Sequence, residues 1–284
     1  MSKTLSRIEF TAPAADVPLV TVLLVEKLPY GWEEEEQATG AALFRLHVED
    51  PAECEALIAE LHAAFPDIAI ARSEVPLRDW ALAWREFFTM VLCGEDFVVL
   101  APWMLDEQPY KTRIPIIIEP KTAFGTGHHA TTALCLEAIS NLKRAGRIAP
   151  GARFLDLGTG SGILGMGLAK LGLTGVGLDI DPLSIENSEE NKTLNGVSDA
   201  FHIELGSIER VKGQQFEVVA ANILAEPLIT LAPEILEALA PGGCLILSGL
   251  LALQADGVAA AYQSLGLPEP RKMLREEWAA LVWA

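Results

Sequence analysis

Apolar and polar positions change their rhythm twice along the chain. Up to about residue 74 they mark short alternating elements: "RIEF", an apolar stretch through "VPLVTVLLVEKL", and "ALFRLHVE". In "PAECEALIAELHAAF" the apolar residues Cys54, Leu57, Ile58 and Leu61 recur at helical spacing, which predicts a helix with one buried face, and "IAIA" after it predicts a strand. These elements predict a small α+β domain. From Val75 to about residue 115 the pattern is that of a connector rich in tryptophan, in which "RDWALAWREFF" puts Trp80, Trp84, Phe87 and Phe88 on one helical face, as packed aromatic cores do.

From about Ile116 onward, apolar strand patterns alternate with helical ones, the signature of an α/β domain whose parallel sheet is covered on both faces. Strands are predicted at "RFLDLG", "GVGLDI", "FHIEL", "FEVVAANI" and "CLILSG". Helices are predicted at "TTALCLEAISNL", "GILGMGLAKLG", "PLSIENSEENKTLNG" and "PLITLAPEILEAL". Two of these helices run into Gly172 and into Asn195-Gly196, residues suited to left-handed caps, and "APGG" predicts the turn into the fifth strand.

Composition adds bounds rather than detail. With 284 residues, 50% of them apolar and 21% charged, the chain has the material for a soluble protein of two domains, divided here as 1–74, a connector over 75–115, and 116–284. "MSKTLSRIEF" lacks the apolar core of a signal peptide and no run approaches the roughly 18 to 20 apolar residues that span a bilayer, so a cytoplasmic protein without membrane contact is expected. Cys54, Cys93, Cys135 and Cys244 show no metal-ligand spacing and are expected as reduced thiols, with no metal site. A net charge of -18 argues against direct binding to nucleic acid and suits a basic partner. The region before Val75 holds 14 acidic against 5 basic residues; its "EEEE" run, Glu33 to Glu36, reads as a solvated loop.

Chemistry enters with "FLDLGTGSGILG". A strand runs into Gly158, Gly160 and Gly162 and straight on into a helix, so a ligand can lie against bare backbone beside free N–H groups. Read from Gly160, the same letters fit the dinucleotide pattern, with Asp179 at the end of the following strand where an NAD enzyme keeps its ribose carboxylate. Asp156 separates the two readings. A carboxylate there would repel a pyrophosphate but attract the amino group of a methionine moiety, which favours S-adenosylmethionine, with Asp179 accepting from both ribose hydroxyls.

With these residues in hand, "FGTGHHATT", "LDLGTGSGILG", "GLDIDP", "ANILAEPLITLAP", "LAPGG" and "LILSGLL", taken in order, resemble the ribosomal protein L-eleven methyltransferase family (PrmA). "RDWALAWREFF" and "REEWAALV" extend the likeness from about Val75 to the end. The resemblance implies a class I methyltransferase sheet of Rossmann-like type closed by an antiparallel hairpin from "KMLREEWAALVWA", after a small N-terminal ferredoxin-like domain for substrate recognition. It implies S-adenosylmethionine contacts at Thr132, Gly158, Asp179 with Ile180 beside it, and Asn222, and a flap over Phe124, Gly125, Thr126 and Gly127. Ser207 stands where family members commonly carry an aspartate facing the adenine amino group, and "HHATT" and "GTGSG" depart from the usual THPTT and CGSG.

The stretch "AFGTGHHATT" is therefore read as flap. No lysine follows it as in a P-loop, and adjacent histidines do not chelate as an i, i+4 pair does. Thr131 or Thr132 is expected to cap the next helix, and His129 to orient the loop rather than to serve as a base. The activity implied is methylation of lysine side chains, and of the α-amino group as a further target, on the basic L-eleven protein of the large ribosomal subunit. Another protein or a small amine is the alternative substrate. Asn222 and the backbone after it are expected to hold the amine with its lone pair toward the methyl group.

Overall fold

The computed structural model describes residues 4–28, 32–37, 39–48, 50–76, 89–106, 109–119 and 127–284. The tryptophan-bearing stretch expected as a helix, residues 78–88, and the flap residues Phe124, Gly125 and Thr126 lie outside the described residues. The chain divides into two compact units, Met1–Phe88 and Thr89–Ala284.

The first unit runs β1 (Thr4–Ala12), α1 (Val17–Lys27), β2 (Glu33–Glu36), β3 (Ala42–Val48), α2 (Pro51–Ala64) and β4 (Ile70–Pro76). Its sheet has the order β2-β3-β1-β4 with every pair antiparallel, the ferredoxin-like arrangement. Strict alternation in β3 buries Ala42, Phe44, Leu46 and Val48, and Phe44 stacks on Phe10 at 5.2 Å. Helix α2 starts where Asp50 accepts from Ala52 N at 2.7 Å with Pro51 in the first turn, and it buries Cys54, Leu57 and Leu61.

In this unit one stretch of unassigned type takes its form and one expectation is corrected. "VPLVTVLLVEKL" is largely helix α1, because a nearly continuous apolar run carries no period by which to tell its type. The "EEEE" run is not a loop but the edge strand β2, where alternate residues share a face: Glu33 and Glu35 both reach Arg45 of β3, at 3.8 and 3.1 Å. That cross-strand cation, also bound to Glu9 at 3.0 Å, lets four acids sit in a strand whose charge keeps the edge from pairing further.

The second unit opens with β5 (Val91–Cys93), β6 (Phe97–Leu100) and β7 (Ile114–Ile117), a three-stranded sheet in that order, so residues 91–93 and 97–100 of the expected connector are strands belonging to this unit. Then follow α3 (Ala130–Arg144), β8 (Arg153–Leu157), α4 (Ile163–Lys170), β9 (Thr174–Asp179), α5 (Pro182–Leu194), β10 (Phe201–Leu205) and β11 (Phe216–Asn222). The chain continues through α6 (Ala225–Thr230), α7 (Ala232–Ala238), β12 (Leu239–Leu251), α8 (Ala255–Ser264), β13 (Arg271–Arg275) and β14 (Trp278–Trp283). The seven-stranded sheet has the order β10-β9-β8-β11-β12-β14-β13. Its first five strands are parallel and the β13–β14 hairpin is antiparallel, as the resemblance implies. Strand order reverses between β8 and β11, which opens a crevice at their carboxyl ends.

"PLITLAPEILEAL" forms two helices, not one. They meet at Leu231, since Pro233 has no N–H to give and its ring would strike the carbonyl of Ile229. "APGG" bulges within the span of β12, between the pairs Phe216–Leu239 and Val218–Cys244. Gly172 and Gly196 take the left-handed conformations expected of them, with φ of 87° and 65°. All four cysteines are buried and unpaired, and among the described residues no helix is long and apolar enough to cross a membrane.

Gly165 shows how closely α4 approaches the sheet: a Cβ there would lie 2.2 Å from Cζ of Phe201 on β10. Gly165→Ala is therefore expected to destabilise the protein by about 1–3 kcal/mol, although alanine is the better helix former by about 1 kcal/mol. Chemical denaturation of the two proteins checks it; an unchanged or higher midpoint would refute the packing account.

Candidate functional site

Strand β8 delivers its chain into the loop Gly158-Thr159-Gly160-Ser161-Gly162, at the crevice where strand order reverses. Gly158, Gly160 and Gly162 have φ of 72°, 55° and 83°, a region open to glycine at little cost, and Gly162 is the N-cap of α4. The loop is pinned at three amides: Gly158 N and Thr159 N donate to Leu178 O at 2.8 and 2.9 Å, and Gly160 N donates to Asp179 Oδ2 at 2.8 Å. A Cβ on Gly158 would come within 2.2 Å of Ile223 Cγ2, so that space is filled by the residue after Asn222.

Asp156 is wholly buried. Its Oδ2 accepts from Thr159 Oγ1 at 2.8 Å and from Gly165 N at 2.9 Å, whereas its Oδ1 has no partner among the described residues. Burial pushes its carboxyl up to about 7; the two hydrogen bonds oppose that rise and the charge of Asp179 adds to it. Asp179, at the end of the neighbouring strand β9, accepts at Oδ1 from Asp181 N at 3.0 Å. The two strand-end acids thus sit on adjacent strands, with Asp156 in register with Gly177.

Asn222 ends β11 on the other side. Register sets Ala220 beside Asp156, so Asn222, two residues on, faces the same side of the sheet one pleat nearer the strand ends. Its Nδ2 donates to Thr132 Oγ1 on α3 at 3.3 Å, and its Oδ1 is buried without a partner among the described residues. Two buried acceptor oxygens, Asp156 Oδ1 and Asn222 Oδ1, therefore await donors at one strand-end crevice. An unpaired buried acceptor costs about 1–3 kcal/mol, which a ligand rich in N–H groups would recover.

The other residues singled out by sequence fall as follows. Thr132 is fully buried under Asn222. Helix α3 is capped not by Thr131 or Thr132 but by His129, whose Nδ1 lies 2.7 Å from Thr131 Oγ1 and accepts from Thr131 N at 3.4 Å, while its ring meets Trp278 edge-on at 4.6 Å. An imidazole serves here because its bare ring nitrogen can accept the amide as a hydroxyl would. Ile180, directly after Asp179, is 77% exposed, a large apolar side chain left uncovered at the strand ends. Ser207 follows Gly206, whose N donates to Asp179 O at 2.8 Å, and its own N donates to Glu209 Oε1 at 2.9 Å. Among the described residues no group of three or more His, Cys, Asp or Glu is placed to hold a metal ion.

Sequence reasoning missed Thr159, which holds Asp156, and the polar inner face of α5. Thr159 was visible only as a departure from a family pattern. The α5 face was signalled by asparagines four residues apart at 187, 191 and 195.

Comparison with known proteins points one way. The sequence model of the family "Ribosomal protein L11 methyltransferase (PrmA)" matches residues 21–284. A ribosomal protein L11 methyltransferase of Syntrophotalea carbinolica is 38% identical over 273 residues, 95% of this chain and 84% of its own length. That of Thermus thermophilus is 41% identical over 211 residues, covering 74% and 79%. Among solved structures, a ribosomal protein L11 methylase from Lactobacillus delbrueckii subsp. bulgaricus superposes with a TM-score of 0.62 at 29% identity, over 69% of this chain and 97% of that one.

Proposed function

The chain belongs to the ribosomal protein L11 methyltransferase (PrmA) family, and from that premise we propose that it transfers methyl groups from S-adenosylmethionine to lysine side chains, and to the α-amino group, of L11 in the cytoplasm. The observation that carries this reading is the Oδ1 of buried Asp156 beside the glycine loop, which has no partner among the described residues. It suits the α-ammonium of a methionine moiety and repels the pyrophosphate that an NAD enzyme must hold.

The residues present fit the donor. Asp156 Oδ1 would accept from its ammonium, Asp179 would use its remaining lone pairs for the ribose hydroxyls, and Gly158 and Gly160 would offer bare backbone. Ile180 would cover one face of the adenine, with Ser207 near the amino group and Thr132 holding Asn222. Phe124, Gly125 and Thr126 complete the set by resemblance. S-adenosylmethionine supplies a methyl group on a positively charged sulfur, so the leaving group is neutral and no dedicated base is obligatory.

The protein's own task is positioning. A lysine amine must arrive neutral, which at pH 7 costs roughly 4.6 kcal/mol from its reference pKa. Asn222 Oδ1 would accept one N–H of that neutral amine and point its lone pair at the methyl carbon; as the N–C bond forms and the S–C bond breaks, the amine's surplus proton leaves to solvent. The net charge of -18 suits a basic polypeptide acceptor.

Mass spectrometry of purified L11 after incubation with the protein and S-adenosylmethionine tests the reading. Mass gains in methyl increments, mapped to lysines and the N-terminus, are expected. Labelling of other lysate proteins or of small amines with L11 untouched would overturn the substrate, and no transfer at all would overturn the activity.

A further inference from the structure

Helix α5 turns an unusually polar face inward. Ser184, Asn187, Ser188, Asn191 and Asn195 are all buried along it, where a helix packed on a sheet normally presents a stripe of apolar residues. Three of these form a ladder. Asn195 accepts from Ile117 N at 2.9 Å and donates to Ile117 O at 2.6 Å. Asn191 accepts from Glu119 N at 2.9 Å and donates both to Ser161 O at 3.0 Å and to Asn187 Oδ1 at 3.2 Å. Asn187 Nδ2 is buried without a partner among the described residues.

The spacing explains the match. Four helical residues advance about 6 Å and two extended residues about 6.6 Å, so asparagines at i and i+4 meet alternate residues of an extended chain. Strand β7 is an edge of its sheet, and these amides serve the edge in place of a further strand. Asn191 differs from Asn195 in reaching both ways. One side chain joins the chain leaving β7, at Glu119, to the middle of the glycine loop, at Ser161, between the amide that binds Asp179 and the residue that caps α4.

We propose that Asn191 is a positioning residue for the methyl donor: by tying Ser161 O to Glu119 N it fixes the glycine loop in the conformation that receives the ligand. The proposal rests on the donor site described under Proposed function. A side chain that hydrogen-bonds two peptides holds them in one register, whereas an apolar side chain of the same size would fill space without orienting either peptide. Among the described residues none of the hydrogen bonds of Asn191 reaches Asn222 or Thr132, so its loss should appear in donor binding and not in the chemical step.

Calorimetric titration of the whole protein with S-adenosylhomocysteine, together with steady-state kinetics, tests this. Asn191→Asp keeps an acceptor for Glu119 N and removes the donor to Ser161 O; Asn191→Ser retains neither reach and guards against an idiosyncratic effect of the new charge. Both are expected to weaken binding and raise the donor KM by about tenfold, with kcat at saturating donor changed by less than about twofold. Thr193→Ala, on the exposed side of the same helix, is expected to behave as the unaltered protein. Binding within about twofold of the unaltered protein in both variants, even with a lowered melting temperature, would overturn the positioning role, since that difference is under 0.5 kcal/mol. Absence of binding by the unaltered protein would instead overturn the donor site itself.

Discussion

Asp156→Asn is expected to weaken donor binding by on the order of a hundredfold to a thousandfold and, at the same time, to make the free protein more stable at pH 8. Both effects have one cause. The carboxylate is wholly buried, with one oxygen satisfied by Thr159 and Gly165 and the other by no group among the described residues, so the folded protein bears the cost of an incompletely compensated charge until a cation arrives. A neutral amide removes that cost and the attraction together. Calorimetry and denaturation on the same two proteins check the pair of effects; retained affinity, or a large loss of stability, would contradict the role given to Asp156.

The pH dependence follows with a definite sign. The folded-state value is raised to about 7 from 3.8, so between these values the free folded protein binds more protons than the unfolded chain. Its stability therefore falls as pH rises through that window, by a few kcal/mol at most, and levels off above it. Donor affinity runs the other way. It should rise by up to about tenfold per unit as pH approaches 7 and flatten beyond, because only the ionised carboxyl pairs with the ammonium. The contribution of Asp156 to both slopes should be absent in Asp156→Asn.

Asn222→Ala is expected to lower kcat for L11 methylation at saturating donor by about a hundredfold to a thousandfold, and to weaken donor binding less than Asp156→Asn does. The buried Oδ1 of Asn222 is the acceptor oxygen left over once Asp156 has taken the donor's ammonium, and its Nδ2 is already tied to Thr132. That tie fixes one end of the amide, as orienting a neutral amine requires. Single-turnover rates with donor bound beforehand separate the chemical step from binding. An unaltered rate would remove Asn222 from the mechanism.

The parallel strands β8, β11 and the Cys244–Leu247 part of β12 were legible in the sequence as apolar runs mostly buried on both faces, whereas β9 and the edge strand β10 are more exposed and stood out by their place in the alternation with helices. Asp156 and Asp179 stood out as charges that interrupt apolar strands and so need a purpose. What escaped was local pattern overruled by neighbours. The "EEEE" strand depends on Arg45, a residue distant in sequence; the break at Leu231 depends on a proline that also fits a helix's first turn. The inner face of α5 reads as solvated, since nothing in "SIENSEENKTLN" tells an asparagine facing water from one pairing with the backbone at Ile117 or Glu119. His129 was identified but not its capping, a duty sequence rules assign to threonine.

The interior placement of Cys54, Cys93, Cys135 and Cys244 also governs how the molecule meets oxidants. Burial pushes the Cys93 thiol up to about 12 and raises Cys135 and Cys244 as well, so these sulfurs are neither nucleophilic nor reachable in the native state. Redox stress and thiol reagents thus find no purchase until one of the units opens: Cys54 belongs to the first and the other three to the second, and each unit keeps its own chemical record of having come apart.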